Sequence, residues 1–550
     1  MIPSVPPGYR GIFRTDDDAR AVYSEAAGIA RILPRAVAVP KDEADVASLV
    51  LWARKNEMPL IPRGSGSSMA GGAIGDGLIV DLSRLRRMGP VNAAERSVVV
   101  EPGVLREEVE AAVRQYGLRF PVDPSSGKFC TIGGMVSTNA AGSHSLAFGS
   151  MRRWVGSLRC VFDDGSIATL RRDSEPPPHV AAIERFLSGA RAKIVAAEET
   201  SRARHRGVRK ESSGYATAAY AGSYDLVDLL VGSEGTLAII VGIELALCPV
   251  AAGTSSVLGV FASLESAVTA AIKARESHAV ACELLDRTFL DIARAGGAHG
   301  VPADAEAVLL VEVEGENAAQ AADTARVIAS LFRQSGSTSV RVALDEATET
   351  ELWELRHAAS PILSRLDPSL RSMQFIEDGA VPPERLADYV RGVRESLARN
   401  GVQGVIFGHA GDSHVHVNPL IDVTSVDWRM RLSRILDEVT DLVARLGGTV
   451  TGEHGDGRLR TPLLARVWSA EVLQRFALVK KTFDPTGIFN PGVKVSLPGE
   501  AAIDAIKYDP SLPKLPPAAR SALARVERER AYARSRLELL DEAMLVSDLG

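Results

Sequence analysis

Two stretches concentrate the side chains that could do chemistry. GHAGDSHVHVNPL, residues 408–420, gathers His409, His414 and His416 around a short polar turn in a chain of only ten histidines. TVTGEHGDGRLR, residues 449–460, sets Glu453 and His454 between glycines. β-rich runs flank AGDS, so the simplest local structure is a hairpin with residues 410–413 as its loop. His409 then faces His414, and His416 lies diagonally across on the same face, because strand side chains alternate with period two. Diagonal neighbours about 7–8 Å apart can converge on one ion, each imidazole nitrogen about 2.0–2.1 Å from a zinc. Two imidazoles and a carboxylate leave coordination positions open, which is the catalytic rather than the structural arrangement of a metal site.

A second chemistry is written in glycine. PRGSGSSMAGGAIGDG, residues 62–77, can turn several backbone N–H groups and hydroxyls toward one anion. A Rossmann fingerprint needs a third glycine where Met69 stands, followed by a helix, and no Gly-Lys-Ser/Thr ending makes this a P-loop. Similar loops recur at residues 122–149 (VDPSSGKFCTIGGMVSTNAAGSHSLAFG) and 230–240 (LVGSEGTLAII). Each joins glycines to short hydroxyl and amide side chains, the means of wrapping a large polar cofactor in backbone atoms. Together they imply an extended dinucleotide.

The elements that must position these groups follow from the pattern. From about residue 37 to 250 β-rich runs alternate with amphipathic helical stretches, an α/β or α+β domain. After residue 253 long Ala- and Leu-rich helices interleave with strands such as AVLLVEVEG and GVQGVIFGHA. The expected division is an N-terminal extension (1–36), a first domain (37–252), a second (253–470), a returning segment (471–496), and a proline-rich linker with a final helix (497–550). That helix, at 517–546, carries Leu523, Val526, Ala533, Leu537, Leu540 and Met544 at heptad-like spacing, interrupted by Arg530. Packing against its own chain is the favoured reading, with a homodimer surface as the sharper one.

Bulk properties exclude several classes. With 550 residues and 46% hydrophobic content the chain buries large cores, and its net charge of -6 gives no electrostatic footprint for nucleic acid. Cys130, Cys160, Cys248 and Cys282 form no CxxC and read as small buried residues. The longest apolar stretch, residues 236–253, contains Glu244 and reads as strands rather than a membrane span. The N-terminus lacks a basic start, an apolar stretch and a cleavage site, so a cytoplasmic location is expected, with peripheral attachment to the inner membrane allowed.

The sequence from AVAVPKDEADVASLVLWARKN through PRGSGSSMAGGAIGDG, VEPGV, TIGGMVSTNAAGSHS and GSEGTLAII resembles the FAD-binding half of the vanillyl-alcohol oxidase/p-cresol methylhydroxylase family. GHAGDSHVHVNPL, GEHGDGRLR and FDPTGIFNPGVKV resemble the C-terminal half of its D-2-hydroxyacid dehydrogenase branch, which includes D-lactate and D-2-hydroxyglutarate dehydrogenases and the glycolate oxidase subunit. The resemblance implies an α+β fold: a PCMH-type FAD-binding domain of two α/β subdomains, and a ferredoxin-like-type α+β cap with an antiparallel sheet. It places Arg63, Gly64, Ser65, Gly66, Ser67 and Ser68 on the FAD pyrophosphate. Pro124, Gly133, Gly134, Ser137, Thr138, Asn139, Gly142 and Ser143 come from the second loop, and Glu234, Gly235 and Ile240 from the third. No histidine stands in the first loop, so the FAD is expected to be non-covalent.

The same resemblance implies His409, His416 and Glu453 as ligands of a divalent metal (zinc, with manganese or iron as alternatives) and His454 as general base. Arg356, in the family's Trp-x-x-Arg pattern with Trp353, becomes the substrate carboxylate clamp, with Ser360 and Asn418 as further polar contacts. His414 stands where relatives carry Asn and has no assigned role. The implied activity is oxidation of a D-2-hydroxy acid, hydride passing to FAD and electrons to a separate acceptor such as a quinone, a cytochrome, an electron-transfer flavoprotein or an iron–sulfur subunit. No cysteine follows Cys282, so no cluster is expected in the chain itself. A D-2-hydroxyglutarate assignment is weakened because no lysine precedes QFIED. Two other readings stay open: a non-redox flavoenzyme like alkylglycerone-phosphate synthase, and a flavin-carrying accessory subunit.

Overall fold

The computed structural model describes residues 4–198, 204–205, 207–295, 303–357 and 369–547. Short aliphatic runs buried along their length form the first sheet. Ala36–Val39, Leu78–Asp81 and Leu60–Arg63 lie parallel in that order, and Ile12–Arg14 adds an antiparallel edge. Burial on both faces is why AVAV and LIVD read as continuous apolar runs rather than alternating ones. The crossover helix Glu43–Asn56 starts where Asp42 accepts from the N–H groups of Ala44 and Asp45, and stops at Glu57 in the left-handed region. Leu60–Arg63 therefore delivers the glycine-rich loop to the carboxyl end of parallel strands, the usual ligand side of such a sheet.

The second sheet is antiparallel, in the order Ser97–Val100, Ile239–Ala246, Val155–Val161, Ile167–Arg171. Beside it the helix Ile132–Thr138 is capped by Thr131, whose hydroxyl accepts from Gly134 N–H. A third, larger antiparallel sheet runs Ser337–Ala343, Gly253–Phe261, Ala307–Gly315, Ala281–Asp286, Gln403–His409, His414–Asp422, Leu370–Ser372, with Gly379–Ala380 also paired to His414–Asp422. The architecture is thus α+β, two smaller sheets carrying the glycine-rich loops and a larger one carrying the histidines. One apolar core is continuous from Leu158 and Ile243 of the second sheet to Leu284, Leu309 and Ile406 of the third, which fixes the loops against the histidine strands. Cys130, Cys160 and Cys282 are buried and unpaired, and Cys248 is half-buried.

The C-terminal helix departs from expectation. It is two helices, Pro517–Glu529 and Arg536–Ser547, separated by a turn in which Arg530 has φ 52°. A left-handed residue stops the first helix, and its N–H returns to the Val526 carbonyl. Leu523, Val526, Leu537 and Leu540 are buried with Ala19, Val22, Tyr23, Val37 and Ile79, so the stripe is internal packing against the first sheet and Met544 alone of its large members is exposed, at 39%. Among the described residues no helix is long and apolar enough to cross a membrane.

His144 joins the second glycine-rich loop to the third sheet. Its Nδ1 lies 2.6 Å from Asp123 and its Nε2 3.0 Å from Glu312 on Ala307–Gly315. Burial opposes the imidazolium, but the two carboxylates outweigh it and raise the pKa well above 6.5. A pKa raised on folding stabilises the fold fully below about pH 6.5, the unfolded value, and the contribution is lost as pH rises through the folded value. His144→Gln is therefore expected to cost about 1.5–3 kcal/mol at pH 6 and progressively less at alkaline pH. Denaturation across pH checks this; a cost that does not fall with rising pH would contradict it.

Candidate active site

The hairpin forms in the expected register. His409 pairs with His414 and Phe407 with His416, and a single turn of 3-10 helix, Ala410–Asp412, closes the loop with Ser413 in the left-handed region at φ 57°. His409, His414 and His416 are all buried. The turn at residues 452–457 is brought to them by close packing on the first glycine-rich loop. Gly457 has φ 50°, and a Cβ there would sit 1.9 Å from the Ala70 carbonyl oxygen, so only glycine fits.

Three donor atoms converge. His409 Nε2, His416 Nε2 and Glu453 Oε1 are each 3.4 Å from the other two. Donors about 2.0–2.1 Å from a tetrahedral ion lie about 3.3–3.4 Å apart, so the triangle has the size a zinc-like ion requires. Tautomers point the same way. His409 Nδ1 lies 2.5 Å from Glu283 and His416 Nδ1 3.0 Å from the Glu377 carbonyl, so an acceptor holds each Nδ1–H and each Nε2 is turned toward the Glu453 carboxylate. Burial keeps His416 below the usual histidine range. Burial also opposes charge on His409, but Glu283 prevails and pushes it up to about 9, so its Nε2 must give up a proton to ligate an ion. His409, His414, His416 and Glu453 together form a possible metal-ligand cluster.

Several supporting residues have roles that only the fold reveals. Lys210 donates to Glu453 Oε2 at 2.7 Å and outweighs burial in holding that carboxylate ionised. Asp378 is a hub: its oxygens accept from His414 Nε2 at 2.9 Å, from His454 N–H at 2.9 Å, from Glu453 N–H at 3.1 Å and from Arg460 at 3.2 Å. Arg460 also pairs with Glu377, whose carboxyl it holds at about 2 against burial. His414 thus acquires a place. Burial pushes it down to about 3, it stays neutral, and its ring is a prop against Gly452 and Asp378, with its Nδ1 buried and unpartnered.

His454 is the ligand cluster's more open neighbour. Its ring stacks on His416 with centroids 5.3 Å apart, and its Nδ1 is 3.2 Å from Glu377. Burial lowers its basicity, but Asp378 and Glu377 more than restore it and the pKa is raised. Arg356 donates from Nε to Glu283 at 2.7 Å and lies over the Phe407 ring. Glu283 therefore ties Arg356 and His409 together, and the helix Glu346–His357 that carries Arg356 rests on the third sheet. Ser360 lies outside the described residues.

The convergent donors, His454 and Arg356 open into one cavity of 690 Å³, within the range of small-molecule and cofactor sites. Arg63, the five residues that follow it and all the expected third-loop residues line it, together with Arg356, Asn418, His409, His416, Glu453 and His454. Every expected second-loop residue lines it except Asn139. Asn139 caps the helix Ile132–Thr138 in the left-handed region and turns its amide oxygen to Arg152 N–H, away from the cavity. Arg63 lines the cavity but is only 2% exposed, and its guanidinium donates to the carbonyls of Tyr23, Ala73 and Glu25, so it braces the loop from behind. Ser68 Oγ is buried without a hydrogen-bond partner, as a cradle awaiting a polar cofactor would leave it. Glu234 accepts from Asp456 N–H at 2.6 Å and Gly457 N–H at 3.0 Å, locking the third loop to the Glu453–His454 turn.

Comparison with known proteins agrees with this layout. Residues 34–171 match the FAD binding domain family and residues 252–493 the family of FAD linked oxidases, C-terminal domain. The glycolate oxidase subunit GlcD of Bacillus subtilis is 28% identical over 87% of this chain and 93% of its own length. D-lactate dehydrogenase of Archaeoglobus fulgidus is 28% identical over 84% and 92%. D-2-hydroxyglutarate dehydrogenase of Pantoea ananatis is 30% identical over 92% of this chain, which spans 53% of that longer protein. Among solved structures, 4-ethylphenol oxidase from Gulosibacter chungangensis in complex with isoeugenol superposes with TM-score 0.63 at 15% identity, covering 88% of this chain and 94% of that one, which shows a shared fold. With a flavin cradle in one half and the oxidase C-terminal domain in the other, the chain belongs to the FAD-linked oxidases and is an oxidoreductase.

Proposed function

We propose that the protein oxidises a D-2-hydroxy acid to the 2-oxo acid, with a divalent metal, zinc in the first instance, held by His409, His416 and Glu453. The carrying observation is the triangle of His409 Nε2, His416 Nε2 and Glu453 Oε1, 3.4 Å on each side, in the same cavity as the flavin cradle. Relatives named for glycolate, D-lactate and D-2-hydroxyglutarate oxidation support the substrate class. Bound FAD supplies the hydride acceptor, and a divalent ion acidifies a nearby hydroxyl.

The chain's own residues do the rest. Arg356, oriented by Glu283, clamps the substrate carboxylate, with Asn418 as a second polar contact. His454 takes the hydroxyl proton, its basicity set by Glu377 and Asp378. Electrons leave through a separate acceptor.

Glu453→Gln tests the ligand assignment. It removes the anionic donor and leaves Lys210 facing a neutral amide, so metal content is expected to fall well below one ion per chain, and turnover with it, while the bound-flavin spectrum persists. Full metal occupancy by elemental analysis, with wild-type turnover, would sink the assignment.

A further inference from the structure

We infer that the turn between the two C-terminal helices, carrying Arg530 and Tyr532, is part of the cofactor site and binds the adenosine-diphosphate half of FAD. The inference rests on the FAD-binding assignment and is independent of the substrate reading. Neither matched family domain extends beyond residue 493, yet Tyr508, Glu527, Arg530 and Tyr532 line the same cavity as the glycine-rich loops.

The turn is fastened to the loops that cradle the cofactor. Arg536 donates from Nη2 to the Ser65 carbonyl at 3.0 Å in the first loop, and the Tyr532 ring lies 5.3 Å from Phe129 in the second. Arg536 also sits 5.3 Å from the Tyr532 ring, fixing it. Beneath it, Lys507 N–H donates to the Ile29 carbonyl at 2.8 Å and Lys507 Nζ to Glu527 at 2.5 Å, so the helix pair is strapped to the flavin domain. Within the turn, Tyr532 N–H donates to the Arg530 carbonyl at 2.8 Å.

Charge balance singles out Arg530. Arg63, Arg356 and Arg530 are the arginines among the described lining residues. Arg63 is committed to three carbonyls, and Arg356 is held through its Nε by Glu283 on the third sheet, where the proposed function gives it the substrate carboxylate. Arg530 is exposed, and its guanidinium has no partner among the described residues. The diphosphate of FAD carries two negative charges, and a guanidinium is the side chain best shaped to meet phosphate oxygens. The first loop offers backbone N–H groups but no free cation of its own, so the turn supplies the missing positive charge.

The test uses the full-length protein, deflavinated and titrated with FAD and with FMN, which lacks the adenosine and the second phosphate. Arg530→Gln is expected to raise the FAD Kd about tenfold, with a shallower salt dependence, and to leave the FMN Kd unchanged. Tyr532→Ala is expected to act in the same direction. Arg528→Gln, at an exposed residue paired with Glu529, should match wild type. An FAD Kd within about twofold of wild type in Arg530→Gln, or an equal loss for FMN, would overturn the inference. Flavin binding is read without substrate, so this outcome is separate from that of the hydroxy-acid proposal.

Discussion

His454→Gln is expected to slow flavin reduction by a D-2-hydroxy acid about 10²–10⁴-fold while FAD and metal stay bound. The side chain stacks on His416 but contributes no atom to the 3.4 Å triangle; its Nε2 is 4.0 Å from Glu453 Oε1. Glutamine can preserve the hydrogen bond to Glu377 and cannot take a proton. Loss of rate with unchanged metal content and an unchanged flavin spectrum separates proton transfer from a structural role. Rapid-mixing reduction of the variant at the wild-type rate would exclude His454 as the base.

Lys494→Met is expected to destabilise the protein by about 3–5 kcal/mol, the usual cost of breaking a buried ion cluster by removing one partner. Lys494 is fully buried and reaches Glu234 at 3.0 Å, Asp456 at 3.1 Å and the Ser212 carbonyl at 2.7 Å. Burial, with Glu234 nearby, already pushes the Asp456 carboxyl up to about 6. Without the ammonium the two carboxylates face each other unneutralised, and the joint between the third cradle loop and the Glu453–His454 turn loosens. Denaturant unfolding checks the cost; a loss under about 1 kcal/mol would mean that the cluster relaxes by protonation or hydration.

What could be read in the sequence was local. The hairpin register followed from period-two alternation across a four-residue loop, and the recurrence of glycine with hydroxyl side chains announced a cofactor cradle. What could not be read depends on contacts across hundreds of residues. Lys210 is 243 positions from Glu453 and Arg460 is 82 from Asp378, and no short pattern holds both members of either pair. The acidic pair Glu377–Asp378 stood visibly in QFIEDG, but its work of fixing three histidine environments needs the third dimension. Asn139 resembled its polar neighbours in the loop, and only the helix ending at Thr138 turns it away from the cavity. The C-terminal stripe continued across Arg530 in sequence, whereas the left-handed turn there divides it into two helices.

The proposed hydroxy-acid site joins a flavin cradle and a metal triad in one cavity. The most direct measurement is anaerobic bleaching of the bound flavin by a panel of D- and L-2-hydroxy acids, on protein assayed for metal and again after chelation. Rapid bleaching by at least one D-2-hydroxy acid, little by its L-enantiomer, and loss of the reaction when the metal is removed are expected. An oxidised flavin spectrum that persists with every D-2-hydroxy acid in metal-replete protein would contradict it.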